Sequence, residues 1–330
     1  MHLAKLTAAA LAFFLSAIFT LADPPNDHAK ARQVVVIVWD GMRPDFVKSK
    51  YAPTLATLAR DGVFFQDNHS SYPTSTNVNG AVLATGDYPG HDGIISNQEY
   101  RTEIDPLKQF DTADFPALDA VDGKINAKYL AAPTVAEIVQ EAGHRTAVAG
   151  SKPVAQLADR SRKRRNGKSV VIYRGHIIPP SAKSEIVSAI GPFPDRHGNF
   201  PNSGEDAWTT RAFTEALWKD AVPKFSLLWL SEPDLSQHEF APGSPTALAA
   251  IKRDDENLAK VLAALRSKNA LTSTDIFVVS DHGFSTIDLA IDAAKRLRAA
   301  GFEAVRFFKG KPKRGQILVV SLGGSMEFYV

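Results

Sequence analysis

Two spacings of apolar residues alternate along this chain. Continuous apolar runs of strand length occur at QVVVIVWD (33–40), FSLLWLSEPD (225–234) and TDIFVVSDHG (274–283). Runs this apolar, and rich in β-branched residues, predict strands buried on both faces. Between them the apolar positions take helical spacing. APTLATLARDG (52–62) closes on a glycine, and TALAAIKRDDENLAKVLAALRSK (246–268) is a long amphipathic stretch. WTTRAFTEALWKD (208–220) and IDLAIDAAKRLRAAG (287–301) also read as helices, and TVAEIVQEAGHRTAVAGS (134–151) as helix, glycine and short strand. GVFFQDNHS, from residue 62, reads as strand-like, and the segment after Pro73 as a helix running to Gly86. Strand and helix in alternation predict an α/β domain with a largely parallel central sheet and helices on both faces.

Residues 152–205 break the rhythm. They hold the basic run RSRKRRNGK (160–168), a strand-like SVVIYRG (169–175) and many Pro and Gly. This stretch is expected as an insertion over the rim of the sheet. Its basic run reads as a solvated loop, the alternative being a role in attracting anionic substrates.

Composition changes this picture little. With 330 residues, 44% of them hydrophobic, there is material for a large core, and a net charge of +2 implies no polyanion, so no nucleic-acid partner is expected. The absence of cysteine excludes disulfides, thiolate metal sites and a cysteine nucleophile. At the N-terminus, Lys5 precedes the apolar LTAAALAFFLSAIFTLA, and Thr20 and Ala22 suit cleavage before Asp23. This predicts a signal peptide over 1–22, a catalytic domain over 23–330 and a secreted or periplasmic protein, with an uncleaved anchor as the alternative. No later segment is long and apolar enough to span a bilayer.

The chemistry lies where the strands end. The first apolar run ends in Asp40, the second leads through Ser-Glu-Pro to Asp234 with His238 four residues on, and the third ends in Asp281 and His282. In a parallel sheet the carboxyl ends of the strands share one edge, where ligands bind. Three carboxylates converging there repel one another unless cations sit between them. Mixed Asp and His donors suit zinc, or manganese, better than calcium. Thr74, Ser75 and Thr76 stand near a predicted helix start, whose free N–H groups and dipole favour a phosphate. One of these hydroxyls either caps the helix or, beside a metal, acts as a nucleophile.

Four motifs, WDGMRPD, YPTSTNVNGAVLATGDYPGHDGIISN, EPDLSQH and SDHG, fall in this order between residue 34 and about 285. Together they resemble the nucleotide pyrophosphatase/phosphodiesterase family of the alkaline phosphatase superfamily. The resemblance implies an alkaline-phosphatase-like fold and hydrolysis of a phosphodiester or nucleotide through a covalent phosphoryl-enzyme. It implies Thr76 as nucleophile and Asn97 as a donor to the phosphoryl oxygens. It also implies two divalent metals, one held by Asp40, Thr76, Asp281 and His282, the other by Asp234, His238 and a histidine far downstream. No histidine follows His282, and the chain stops at GGSMEFYV, inside what reads as a Gly-Gly hairpin. A C-terminally incomplete domain is therefore expected. A phosphomonoesterase or phosphomutase of the same superfamily, and a non-catalytic binding protein that retains the fold, stay open as alternatives.

Overall fold

The apolar runs at the centre of the sheet become strands because each has two cores to fill. A computed structural model describes residues 32–114, 116, 118, 129–161, 169–194 and 198–330. Its strands are β1 (Gln33–Trp39), β2 (Gln98–Glu99), β3 (Phe110–Asp111), β4 (Thr146–Gly150), β5 (Ser169–Tyr173), β6 (His176–Ile178), β7 (Phe225–Leu230), β8 (Thr274–Val279), β9 (Glu303–Val305), β10 (Gln316–Leu322) and β11 (Ser325–Tyr329). Its helices are α1 (Pro53–Asp61), α2 (Thr76–Thr85), α3 (Pro89–Asp92), α4 (Val135–Glu141), α5 (Lys183–Ile190), α6 (Ser203–Arg211), α7 (Asp234–Phe240), α8 (Pro245–Ser267) and α9 (Ala293–Ala299). On β1, Val35, Ile37 and Trp39 enter one core, and Val38 enters the other. On β7, Leu228 and Leu230 join the first core, and Leu227 and Trp229 the second. The period of two along a strand thus supplies both faces of the sheet.

The central sheet has six strands in the order β6–β5–β4–β7–β1–β8. All pairings are parallel except β5 with β6. Leu55 of α1, Trp208 of α6, and Ile251, Leu258 and Leu265 of α8 cover one face. Val78, Ala81 and Ala84 of α2, with Ala136 of α4, cover the other. Helix ends are fixed by side chains reaching across the fold. Asp255 of α8 accepts the Thr54 and Leu55 N–H groups that open α1, at 3.0 and 2.9 Å. Thr134 and Glu137 close a reciprocal capping box at the start of α4. A second sheet, β11–β10–β9, ends the described chain. The expected Gly-Gly hairpin joins β10 to β11.

The structure differs from the sequence expectation in five places. The third apolar run, expected as a strand buried on both faces, is β8 at the edge of the sheet, where Phe277 is 47% exposed. The segment expected as an insertion over the rim supplies β5 and β6 to the central sheet itself. Its Arg174 and Gly175 have φ of 45° and 76°, the positive values a two-residue hairpin turn needs, so a glycine read as loop punctuation is a tight turn between strands. GVFFQDNHS forms no strand: no neighbouring strand pairs with it, and Val63 and Phe65 are 77% and 71% exposed. The helix expected from residue 208 starts at Ser203 and passes into a π-helical segment, Ala212–Leu217. That expected from residue 287 starts only at Ala293, where Asp292 caps it by accepting from Lys295 N at 2.9 Å. Residues 162–168 of the basic run and the expected signal peptide (1–22) lie outside the described residues. Among those described, no helix is long and apolar enough to cross a membrane.

One close approach sets α2 against the sheet. A Cβ added to Gly80 would overlap Val154 Cγ2 and stand 3.5 Å from the Trp229 ring. Alanine in a helix normally gains about 1 kcal/mol over glycine. Overpacking a tight core costs about 1–3 kcal/mol. With overlap this severe the second effect wins, and Gly80→Ala is expected to lower the urea midpoint of unfolding. Adding Val154→Ala should make the double variant more stable than the two single losses imply. An unchanged midpoint in Gly80→Ala would mean that α2 shifts freely.

Candidate metal centre

The parallel strands deliver their C-terminal ends to one edge, and a single glycine ties three of them together. Asp40 follows β1, and its carbonyl accepts from Asp234 N at 3.0 Å. Gly41 N donates to Asp281 Oδ1 at 3.0 Å, and Gly41 O accepts from Gln237 Nε2 at 2.8 Å. Gly41 has φ +68°, and a Cβ there would stand 3.0 Å from Asp234 Cβ. Only glycine takes that backbone angle with the Asp234 chain so near. The run WDG therefore binds the ends of β1, β7 and β8 into one rigid corner.

Asp40, Asp234 and Asp281 are 0%, 3% and 1% exposed. In Asp40 and Asp281 one oxygen is engaged and the other is not, and in Asp234 one oxygen meets Lys152 and the other only His238, at 3.3 Å. Asp40 Oδ2 accepts from Trp229 Nε1 at 2.7 Å and lies 2.9 Å from Lys152 Nζ, which also meets Asp234 Oδ2 at 2.8 Å. Asp40 Oδ1, Asp234 Oδ1 and Asp281 Oδ2 accept no hydrogen bond from the described residues. These three atoms lie 3.6, 3.9 and 3.4 Å from His282 Nε2. Thr76 Oγ1 is 3.1 Å from the same nitrogen. His282 Nδ1 is 2.8 Å from the carbonyl of Gly283, which fixes the proton there and turns the Nε2 lone pair toward the carboxylates.

The His282 lone pair with the Asp40 and Asp234 oxygens forms a group that could hold a cation, with the Thr76 hydroxyl and Asp281 Oδ2 beside it. Oxygen with imidazole nitrogen fits zinc or manganese. Asp40, Asp234 and His282 each offer an atom within 4.8 Å of the others. The electrostatics point the same way. Burial, and then the Asp281 charge, push Asp40 well above the ordinary carboxylate range. Burial also pushes on Asp234, but contact with His238 and the Lys152 charge outweigh it and hold that carboxyl below its ordinary value. Burial lowers His282, yet Asp281 and Asp40 overcome it and raise the imidazole. The cluster is short of positive charge.

The remaining expected residues sit around this corner. Thr76 is the first residue of α2, and Ser75 before it makes no capping bond, so neither hydroxyl caps the helix. Asn97 Oδ1 accepts Asn77 N at 2.7 Å, which satisfies one N-terminal donor of α2. His238 stands 3.3 Å from Asp234 Oδ1, 67% exposed, with its ring edge-on to Phe284. Lys152 was not foreseen. It follows β4 as Asp40 follows β1, so the strand-end rule applied to TAVAGSK would have found it. Beneath the corner, Asp206 of α6 ties β4 to β7: it accepts from Ser151 Oγ, and from Ser231 N at 2.8 Å.

Residues 34–326 match the family model for type I phosphodiesterase / nucleotide pyrophosphatase. A venom phosphodiesterase of Macrovipera lebetinus is 25% identical over 259 residues, covering 76% of this chain and 24% of that protein. Human ectonucleotide pyrophosphatase/phosphodiesterase family member 7 is 22% identical over 270 residues, covering 80% of this chain and 50% of that protein. The chain thus spans between a quarter and a half of these relatives. Among solved structures, an inactive threonine-to-alanine variant of murine ectonucleotide pyrophosphatase/phosphodiesterase 5 in complex with AMP superposes with a TM-score of 0.55 at 19% identity, covering 80% of this chain and 61% of that one. Phosphonoacetate hydrolase from Sinorhizobium meliloti 1021 in complex with phosphonoacetate gives 0.57 at 22%, covering 82% and 62%. Both likenesses are of fold, and the fold they share is alkaline-phosphatase-like.

The Asp206 tie carries a pH signature. Burial pushes the Asp206 carboxyl up to about 7. The unfolded chain ionises its aspartates near 3.9, so between about pH 4 and 7 the folded state holds a proton that the unfolded state has lost. From this group, stability should fall as pH rises through that window, by up to about 1.4 kcal/mol per unit. Urea unfolding at a series of pH values checks the slope, and Asp206→Asn should flatten it. A slope identical in the variant would place the titration elsewhere.

Proposed function

The chain belongs to the type I phosphodiesterase / nucleotide pyrophosphatase family, and from that premise we propose that it hydrolyses phosphodiester or pyrophosphate bonds of nucleotide-like substrates with Thr76 as nucleophile. The observation that carries this reading is the Thr76 hydroxyl at the start of α2, 3.1 Å from His282 Nε2 beside the three buried carboxylates. Asp40, Thr76, Asp281 and His282 would hold one divalent ion, and Asp234 with His238 a second. When bound, such ions lower the pKa of a hydroxyl and neutralise charge on phosphoryl oxygens.

The residues themselves do the positioning. The N-terminus of α2 directs its dipole at a bound phosphoryl group. Thr76 Oγ loses its proton and forms the bond to phosphorus as the bond to the leaving oxygen breaks, and the departing oxygen takes up a proton from solvent. The phosphoryl group then rests on Thr76 until water cleaves that ester and returns the hydroxyl. The Asn97 amide, its oxygen fixed on Asn77 N, donates to an oxygen on which charge develops. A nucleotide substrate accords with the AMP bound in the murine relative. Action outside the cytoplasm accords with the signal-like residues 1–22.

Two variants test this on a chromogenic phosphodiester, with the matching monoester and a phosphonate as comparisons. Thr76→Ala should lower kcat/KM about 10³-fold or more while the far-UV spectrum stays native. Thr74→Ala and Ser75→Ala should do far less. Activity retained in Thr76→Ala would remove the nucleophile from the reading, and faster turnover of the monoester would reassign the reaction. Asn97→Ala should cost about 10²–10³ in kcat. A change in KM alone would mean that Asn97 binds substrate and transition state equally.

A further inference from the structure

Lys152 takes part in none of the chemistry just described, yet it stands at the centre of it. Its side chain is only 17% exposed. Its main chain is held in place. Ser151 N donates to Trp229 O at 3.0 Å, Ser151 Oγ to Asp206, and a Cβ on Gly150 would overlap Ala155 Cβ. A lysine so anchored does not wander to its partners by chance. Its ammonium meets one oxygen of each of two carboxylates, Asp40 Oδ2 and Asp234 Oδ2. Their other oxygens, both Oδ1, are turned toward His282, and Asp234 Oδ1 also lies 3.3 Å from His238.

This division of oxygens has two consequences. Each carboxylate can offer a metal a single oxygen, because the second is committed to Lys152. The positive charge also stands beside any divalent ion that Asp40 and Asp234 hold, and like charges a few ångströms apart in a buried site repel strongly. We propose that Lys152 is a resident cation of this centre, competing with divalent ions for Asp40 and Asp234 and limiting how tightly they bind. The inference rests on the reading of the site as a metal centre, but it makes its own demand: taking the ammonium away must tighten metal binding rather than loosen it. The ion at Asp234 and His238 feels this most, since among the described residues that pair has the fewest ligands. Asp234 then alternates between partners, and occupancy of its site depends on what Lys152 is doing.

The test is calorimetric titration of Zn²⁺ and, separately, Mn²⁺ into the metal-stripped full chain, as wild type, Lys152→Met and Lys152→Arg. Methionine keeps the stem without the charge, and arginine keeps the charge. Lys152→Met is expected to bind about tenfold more tightly or better, a modest fraction of the Coulomb term for a unit charge at this range. Lys152→Arg is expected to stay within about threefold of wild type, since it conserves the charge. Equal or weaker binding by Lys152→Met overturns the proposal, and so does Lys152→Arg behaving like Lys152→Met. Should stripped Lys152→Met unfold, recovery of its native spectrum on adding Zn²⁺ at concentrations that leave the wild type unloaded is the supporting result, and failure to recover is the overturning one. If the wild type binds neither ion but Lys152→Met does, the metal-dependent function falls while the resident cation stands. If neither protein binds metal, both fall.

Discussion

Three carboxylates buried within reach of one imidazole repel one another, and much of the rest of the structure is arranged around that repulsion. At 4 Å, two unit charges in a partly buried setting repel by about 4 kcal/mol. The fold tolerates three because it pins each from a different direction. Trp229 Nε1 and Lys152 hold Asp40 Oδ2, Lys152 holds Asp234 Oδ2, and Gly41 N holds Asp281 Oδ1. Each of these holders lies on, or just beyond, a strand of the parallel sheet. A side chain standing at a strand end cannot retreat into solvent without unmaking the pairing behind it, so the sheet keeps the acids together and the donors keep them apart.

Sequence alone carried a good part of this, for a physical reason. The strands buried on both faces are nearly pure in apolar residues, so a polar residue at the end of such a run is conspicuous. Asp40, Asp234, Asp281 and His282 were legible in that way, and the structure brings all four to one corner. Thr76 was legible only as one of three hydroxyls near a helix start, until the surrounding motif singled it out. Lys152 was missed because its strand is short and built of Thr, Ala, Val and Gly, which reads weakly as buried. The stretch holding β5 and β6 reads as an insertion because Pro, Gly and a basic run lie around its strand-like SVVIYRG. The hairpin turn at Arg174–Gly175 depends on backbone angles that composition does not express. The strand-like GVFFQDNHS shows the converse: apolar residues in an extended run make a strand only where another strand offers its edge.

Asn97 shows how one side chain joins fold and chemistry. Its oxygen completes the first turn of α2, and the segment that carries it continues into β2. The last described strand holds this segment in turn, where Tyr100 N donates to Tyr329 Oη at 3.2 Å and the two rings meet edge to face. The small C-terminal sheet thereby braces the segment that carries Asn97. Two sheets with little in common in topology are thus linked to one helix start through the segment that carries Asn97.

The strand order β4–β7–β1–β8 sets neighbours in space far apart in sequence. The residues that meet at the corner run from Asp40 to His282, with Lys152 and Asp234 contributed by separate crossovers. Contacts of such long separation form late, after many loops have closed, and parallel sheets are slow to assemble for that reason. A nascent or partly folded chain therefore lacks the assembled site, since local segments offer at most two of the candidate ligands together, as Asp234 and His238 do on α7. Whatever cation the finished corner binds acts chiefly on the completed sheet, and its binding free energy stabilises the folded state. The same order of strands that gathers the acids thus makes this corner a sensor of its own completion.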